Sequence, residues 1–76
     1  MTKYIVYVED EDHPVIDGTA YKKLKKFNRE YEALAFTGDV RNLSKYGCMR
    51  LIKTTDDEGD YIWNPEVDIW EKWNGN

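Results

Sequence analysis

The stretch Thr19–Phe36, TAYKKLKKFNREYEALAF, has the clearest helical period in the chain and so constrains the fold most. Tyr21, Leu24, Phe27, Tyr31, Leu34 and Ala35 recur at helical spacing, which places them on one face. Lys22, Lys23, Lys25, Lys26, Arg29 and Glu30 fall largely on the other faces. Asp17 or Thr19 can cap the start, and Gly38 stands where a left-handed residue would end the helix. The expectation is a main helix over Thr19–Phe36 with a solvated basic face, followed by a short second turn, Val40–Gly47, capped by Asp39. A second parsing stays open. Tyr21–Phe27 can form a lysine-rich edge strand, the lysines resisting edge-to-edge pairing. Asn28 would then cap a helix from about Arg29 to Lys45. That helix would carry Thr37-Gly38-Asp39 in its interior, where the glycine alone costs about 1 kcal/mol. The spacing favours the earlier helix.

Such a helix needs a sheet to pack on, and the flanking segments supply one. Lys3–Val8, KYIVYV, has β-branched and aromatic residues toward both faces, which suits a central strand. The acidic run Glu9–Asp12 and then His13-Pro14 end it, because proline cannot donate to a central ladder. Val15-Ile16 form a small apolar anchor before the Asp17-Gly18 turn. From Cys48 the chain reads as β: CMRLIKTT, a hairpin loop Asp56-Asp57-Glu58-Gly59, and the return strand Asp60–Asn64. Asn64–Asp68 is a second turn, and Ile69–Trp73, IWEKW, is the last strand. A terminal helix with Pro65 at its first position is the rival for that segment. Together these elements predict an α+β fold: a small, mostly antiparallel sheet with one main helix packed across one face.

Seventy-six residues with 41 % hydrophobic and 14 % aromatic content make one domain with a modest core, too apolar to be disordered. No apolar run approaches a membrane span, and MTK leading into YIVYV is not a signal peptide, so a cytoplasmic location is expected. Charge is divided along the chain. Residues 1–19 carry one lysine against five acids, residues 20–53 nine cations against three acids, and residues 54–76 one lysine against seven acids. A basic middle therefore lies between two acidic ends.

Chemistry-bearing motifs are sparse. His13 is a lone histidine in an acidic loop, and Cys48 is the only cysteine, expected to be buried and inert. The acidic loop can be aligned with a calcium loop through Asp56, Glu58 and Asp60. It then places Tyr61 where glycine is required and Val67 where a bidentate glutamate is required. There is no glycine-rich phosphate loop, and the paired carboxylates lie in runs where nothing would separate their pKa values. No catalytic residue, cofactor or metal site is expected, and the chain is read as a non-enzyme.

The remaining candidates are partner-binding residues. Lys22, Lys23, Lys25, Lys26 and Arg29 can track phosphates, while the whole chain's pI of about 4.9 opposes non-specific attraction to nucleic acid. At the acidic end, Asp57 and Glu58 can engage a basic surface, and Trp70 or Trp73, if on the open face of the last strand rather than in the core, can anchor a partner. The C-terminal segment GCMRLIKTTDDEGDYIWNPEVDIWEKW resembles the hairpin-and-tryptophan ending of small α+β proteins encoded by bacteriophages, among them anti-CRISPR proteins and inhibitors of host transcription. That resemblance implies a non-enzymatic inhibitor that binds and occludes a host protein or nucleoprotein complex in the host cytoplasm. The other function to weigh is a nucleic-acid-binding module using the lysine-rich face of residues 22–29.

Overall fold

The computed structural model describes residues 1–10, 15–16 and 19–74; His13 and the Asp17 cap lie outside these. Among the described residues, six strands and two short helices follow in the order β1 (Lys3–Glu9), β2 (Val15–Ile16), β3 (Thr19–Phe27), α1 (Glu30–Gly38), α2 (Val40–Tyr46), β4 (Met49–Thr55), β5 (Gly59–Asn64) and β6 (Ile69–Trp73). All strand pairs are antiparallel, and the order across the sheet is β2-β3-β1-β4-β5-β6. The α+β expectation holds, but the sheet dominates, and two helices stand where one main helix was expected.

β1 occupies the centre for the reason its composition suggests. Tyr4, Val6 and Val8 point to the face that carries the helices, and Ile5 and Tyr7 point to the other. A strand apolar on both faces must be covered on both and flanked on both edges. β4 lies along one edge, Val6 opposite Leu51 and Ile5 opposite Ile52. β3 lies along the other, Tyr4 opposite Phe27 and Val8 opposite Lys22.

The main-helix expectation over Thr19–Phe36 is thus overturned in its first half: Thr19–Phe27 is a strand. The spacing that imitated a helix has a different cause. The β1–β3 register shifts between Val6 and Tyr7, leaving Leu24 as an extra residue, a β-bulge. Its insertion throws Tyr21 and Phe27 onto opposite faces of the sheet. Tyr21, 3 % exposed, lies beneath the Arg50 guanidinium on the face without helices. Phe27 packs against Phe36 of α1, ring centres 5.5 Å apart. Leu24 packs against the cluster of Val6, Ala33 and Leu51. A three-residue step is therefore how a bulged strand feeds two apolar layers.

The second parsing foresaw this strand but placed the later helix wrongly. Instead of one helix from Arg29 to Lys45, the chain breaks at Gly38-Asp39. Arg29, not Asn28, is the N-cap of α1, and its side chain makes no capping bond; Glu30 and Glu32 supply negative charge in the first turn. The Thr37 hydroxyl donates to the carbonyls of Ala33 and Leu34, drawing off hydrogen-bonding capacity near the helix end. Asp39 then turns the chain. Its carboxylate accepts the Arg41 backbone N–H at 2.8 Å, the second-turn cap expected from sequence. The Asn42 amide donates to the Phe36 carbonyl at 3.0 Å and ties α2 back to α1. Gly47, with φ 72°, closes α2 in a conformation that favours glycine.

The core sits between α1 and the β3-β1-β4 part of the sheet. Val6 and Ala33 are fully buried, and Leu51 is nearly so. Burying side chains of the Val and Leu kind stabilises by about 1.5–3 kcal/mol each. On the β5–β6 half, Trp63 and Trp70 pack against this same cluster and extend the core with aromatic side chains. Trp63 and Trp70 meet edge to face at 5.2 Å, and Trp70 lies 5.9 Å from Tyr4. Among the described residues, no helix is long and apolar enough to cross a membrane.

Candidate functional site

β2 pairs only with Thr19 and Ala20, so from Tyr21 to Phe27 the outer edge of β3 has no strand beside it among the described residues. This open edge carries the lysines. Strand alternation and the bulge place Lys23 and Lys26 on the side away from the helices, opposite Tyr7 and Ile5. Lys22 and Lys25 fall on the helix side, opposite Val8 and Val6. All four are exposed. Lys22 reaches Asp10 at 3.5 Å, and the Lys25 ammonium rests over the rings of Phe27 and Phe36 at 5.4 and 5.6 Å. Among the described residues, Lys23 and Lys26 have no carboxylate within ion-pair distance.

Two residues past the strand, Arg29 points a guanidinium N–H toward the Tyr31 hydroxyl at 3.4 Å. Tyr31 is 65 % exposed, the largest exposure of any described aromatic side chain. The sequence placed Tyr31 on the buried face of a long helix. Once that helix starts at Glu30 instead, the phase is free, and Ala33, Leu34 and Phe36 turn inward in its place. Four lysines thus line the β3 edge, and Arg29 with the exposed Tyr31 ring follows it in the chain. A bulge and lysines are also what keeps an open edge from pairing with another strand.

The other predicted partner-binding residues lie elsewhere. Asp57 and Glu58 are exposed in the β4–β5 turn, where the Thr55 hydroxyl accepts the Glu58 N–H at 3.0 Å and Lys72 donates to the Glu58 carbonyl. Trp70 faces the helix side, and its indole N–H donates to the Glu30 carboxylate at 2.9 Å, stitching β6 to the first turn of α1. Trp73 faces the opposite side, across from Asp60, with its indole N–H buried and meeting no acceptor among the described residues. β3 and β6 are separated by three strands. The fold therefore gathers the lysines and Arg29 along one margin and leaves the acids and the two tryptophans apart from them and from each other.

Two further features were not foreseen. Lys53 and Lys72 flank the Tyr61 ring from neighbouring strands, each ammonium 5.0 Å from its centre, and Lys53 also lies 4.8 Å from the Trp70 ring. Lys53, Tyr61 and Lys72 are successive partners across β4, β5 and β6, so the signal lies in the register rather than in any local motif. The same region splits. β4 pairs with β5 only from Ile52 to Thr55, and beyond Ile62 the strands part. A cavity of about 550 Å³ lies on the side of Arg50, Ile62 and Trp73, and one of about 420 Å³ on the side of Leu43 and Leu51; Met49 and Trp63 line both.

Burial pushes the Tyr4 hydroxyl above its ordinary range, and Glu30 adds to the effect; burial does the same for Tyr7, with Asp60 adding. Cys48, expected to be buried, is exposed just after the α2–β4 turn, because β4 begins one residue later and only Met49 and Leu51 turn toward the core. No protein-family model matches this chain, and neither a curated protein nor a solved structure matches it.

Proposed function

We propose that this chain is a small non-enzymatic interaction module of the inhibitor type, which binds a nucleoprotein complex through the basic margin of β3 and occludes it. The observation that carries this reading is the β3 edge from Tyr21 to Phe27, which has no strand beside it among the described residues, with Lys22, Lys23, Lys25 and Lys26 along it and Arg29 just beyond. In a chain with a net charge of −4, concentrating cations on one margin creates a local field opposite to the global one. Such a field steers a polyanionic surface to one place and repels it from the acidic ends, which favours specificity over indiscriminate adhesion. The resemblance of the C-terminal hairpins to phage-encoded host inhibitors agrees in kind, and it implies the host cytoplasm as the place of action.

The test is capture from host lysate by the wild-type chain and by a Lys22→Glu, Lys23→Glu, Lys25→Glu, Lys26→Glu variant. Each is run with and without nuclease, and thermal melts of both proteins serve as controls. The expected result is a set of bound components that disappears in the variant while its melting temperature stays within a few degrees. A variant that captures the same components as the wild type would remove the β3 margin from the function.

A further inference from the structure

Resting on that reading, we infer that the β3 margin binds single-stranded nucleic acid directly, with the lysines on the phosphates and Tyr31 stacked on a base. Three observations separate this partner from an acidic peptide and from a duplex.

The first is the form of the edge. A peptide that adds a strand needs an unbroken run of free ladder groups. Here the run is interrupted by the Leu24 bulge, and the lysines alternate to both sides of it. Both devices oppose strand addition. A phosphate backbone needs no ladder. It can lie along the edge with Lys23 and Lys26 on one side and Lys22 and Lys25 on the other.

The second is length and width. Tyr21–Phe27 extends roughly 20 Å at the rise of a strand, room for about four nucleotides, the lower end of site sizes for single-strand binders. The basic strip is one strand wide. β1, its neighbour, carries Glu9 at one end, and Asp10 pairs with Lys22 there. A duplex presents two backbones at once, and its second backbone would find no matching cations beside this strip.

The third is Tyr31. A phosphate track alone gives no use to an exposed ring, and neither does an acidic peptide. A ring 65 % exposed, two residues from Arg29 and hydrogen-bonded to it, offers a stacking surface at the end of the track. The phenol–guanidinium contact also holds Arg29 at the strip, where its planar fork suits phosphate. Electrostatic positioning and base stacking then come from adjacent residues.

The experiment is fluorescence anisotropy with labelled dT12 and rU12, a 12-base-pair duplex and an oligoglutamate peptide, over a range of salt concentrations. Four or five phosphate contacts predict a slope of log K against log salt of about −3 for the single strands. Lys23→Gln with Lys26→Gln should flatten that slope by about 1.4. Tyr31→Ala should weaken binding at least about fivefold with the slope unchanged, and Tyr31→Phe should retain most of the affinity. Equal or tighter binding of the duplex, or a Tyr31→Ala variant with wild-type affinity, would overturn the inference. Lysine-dependent binding of oligoglutamate without binding of either single strand would overturn it too, while leaving the interaction module standing on an acidic protein partner. If neither polyanion responds to the lysine changes, the inference and the module reading fall together.

Discussion

Residues 19–38 and residues 49–73 both carry apolar periodicity, yet local signals describe only the second. In the C-terminal region, each strand is followed by a turn whose chemistry is written in place. Gly59 takes φ 84° to close the Asp56–Glu58 loop, and its hydroxyl neighbours help: Thr55 donates to the Gly59 carbonyl at 2.8 Å. The Asn64 side chain accepts the Glu66 N–H at 3.0 Å, and Asp68 takes a left-handed φ of 55° before β6 begins. Hairpins made this way need only nearest-neighbour strands. In residues 19–38 the spacing of apolar residues is satisfied by two different structures, and no turn residue chooses between them. The choice falls to β1, which needs a second flanking strand that the C-terminal hairpins cannot supply. Local chemistry thus builds one half of the sheet, and a long-range demand builds the other.

The largest expected effect tests the long-range half. Ala33 is fully buried where α1 meets Val6 and Leu51. Ala33→Asp would bury a charge with no partner, at a cost on the order of 3 to 5 kcal/mol. For a chain of this size that consumes most of its stability. Urea denaturation should show an unfolded or barely folded variant. A variant within 1 kcal/mol of the wild type would mean that α1 is not what holds β3, β1 and β4 together.

A middle-sized effect tests the local half. Gly59→Ala places a side chain at positive φ and brings its Cβ to 2.9 Å from the flexible Lys72 ammonium, which can move aside. The backbone term remains, about 1–2 kcal/mol. Hydrogen exchange should speed up in the β4–β5 hairpin more than in β1. Equal acceleration in both strands would show that the hairpin has no local autonomy, and the contrast between the two halves would lose its basis.

The smallest effect concerns the junction between the halves. The Asp39 carboxylate is held below its ordinary range, chiefly by the Arg41 side chain and then by the Arg41 backbone N–H. A depressed carboxyl contributes stability that is fully present above its unfolded value, about pH 4, and is lost as pH falls through the folded value. Helical circular dichroism should therefore decline slightly below pH 4. Asp39→Asn keeps a capping oxygen and should remove this part of the decline, whereas Asp39→Ala loses the cap and should lower the helical signal slightly already at neutral pH. An unchanged acid profile in Asp39→Asn would assign the decline to other carboxylates.

What the amino-acid sequence determined by itself is whatever a few adjacent residues can enforce. β1 is central because KYIVYV is apolar on both faces, and α2 starts at Asp39 because its carboxylate caps a backbone N–H two residues on. The C-terminal strands stand where glycine, proline, Asn64 and Asp68 punctuate the chain. The candidate site was legible only as a set of residue types. Lys22, Lys23, Lys25, Lys26 and Arg29 were visible as cations, but as the outer face of a helix rather than the rim of a sheet. Tyr31 was assigned to the core. Tertiary structure decided both. The step from Tyr21 to Leu24 to Phe27 fits a helix face and a bulged strand equally well, and pairing with β1 selects the strand. Once Phe27 ends that strand, α1 restarts the helical phase at Glu30 and turns Tyr31 outward, beside Arg29.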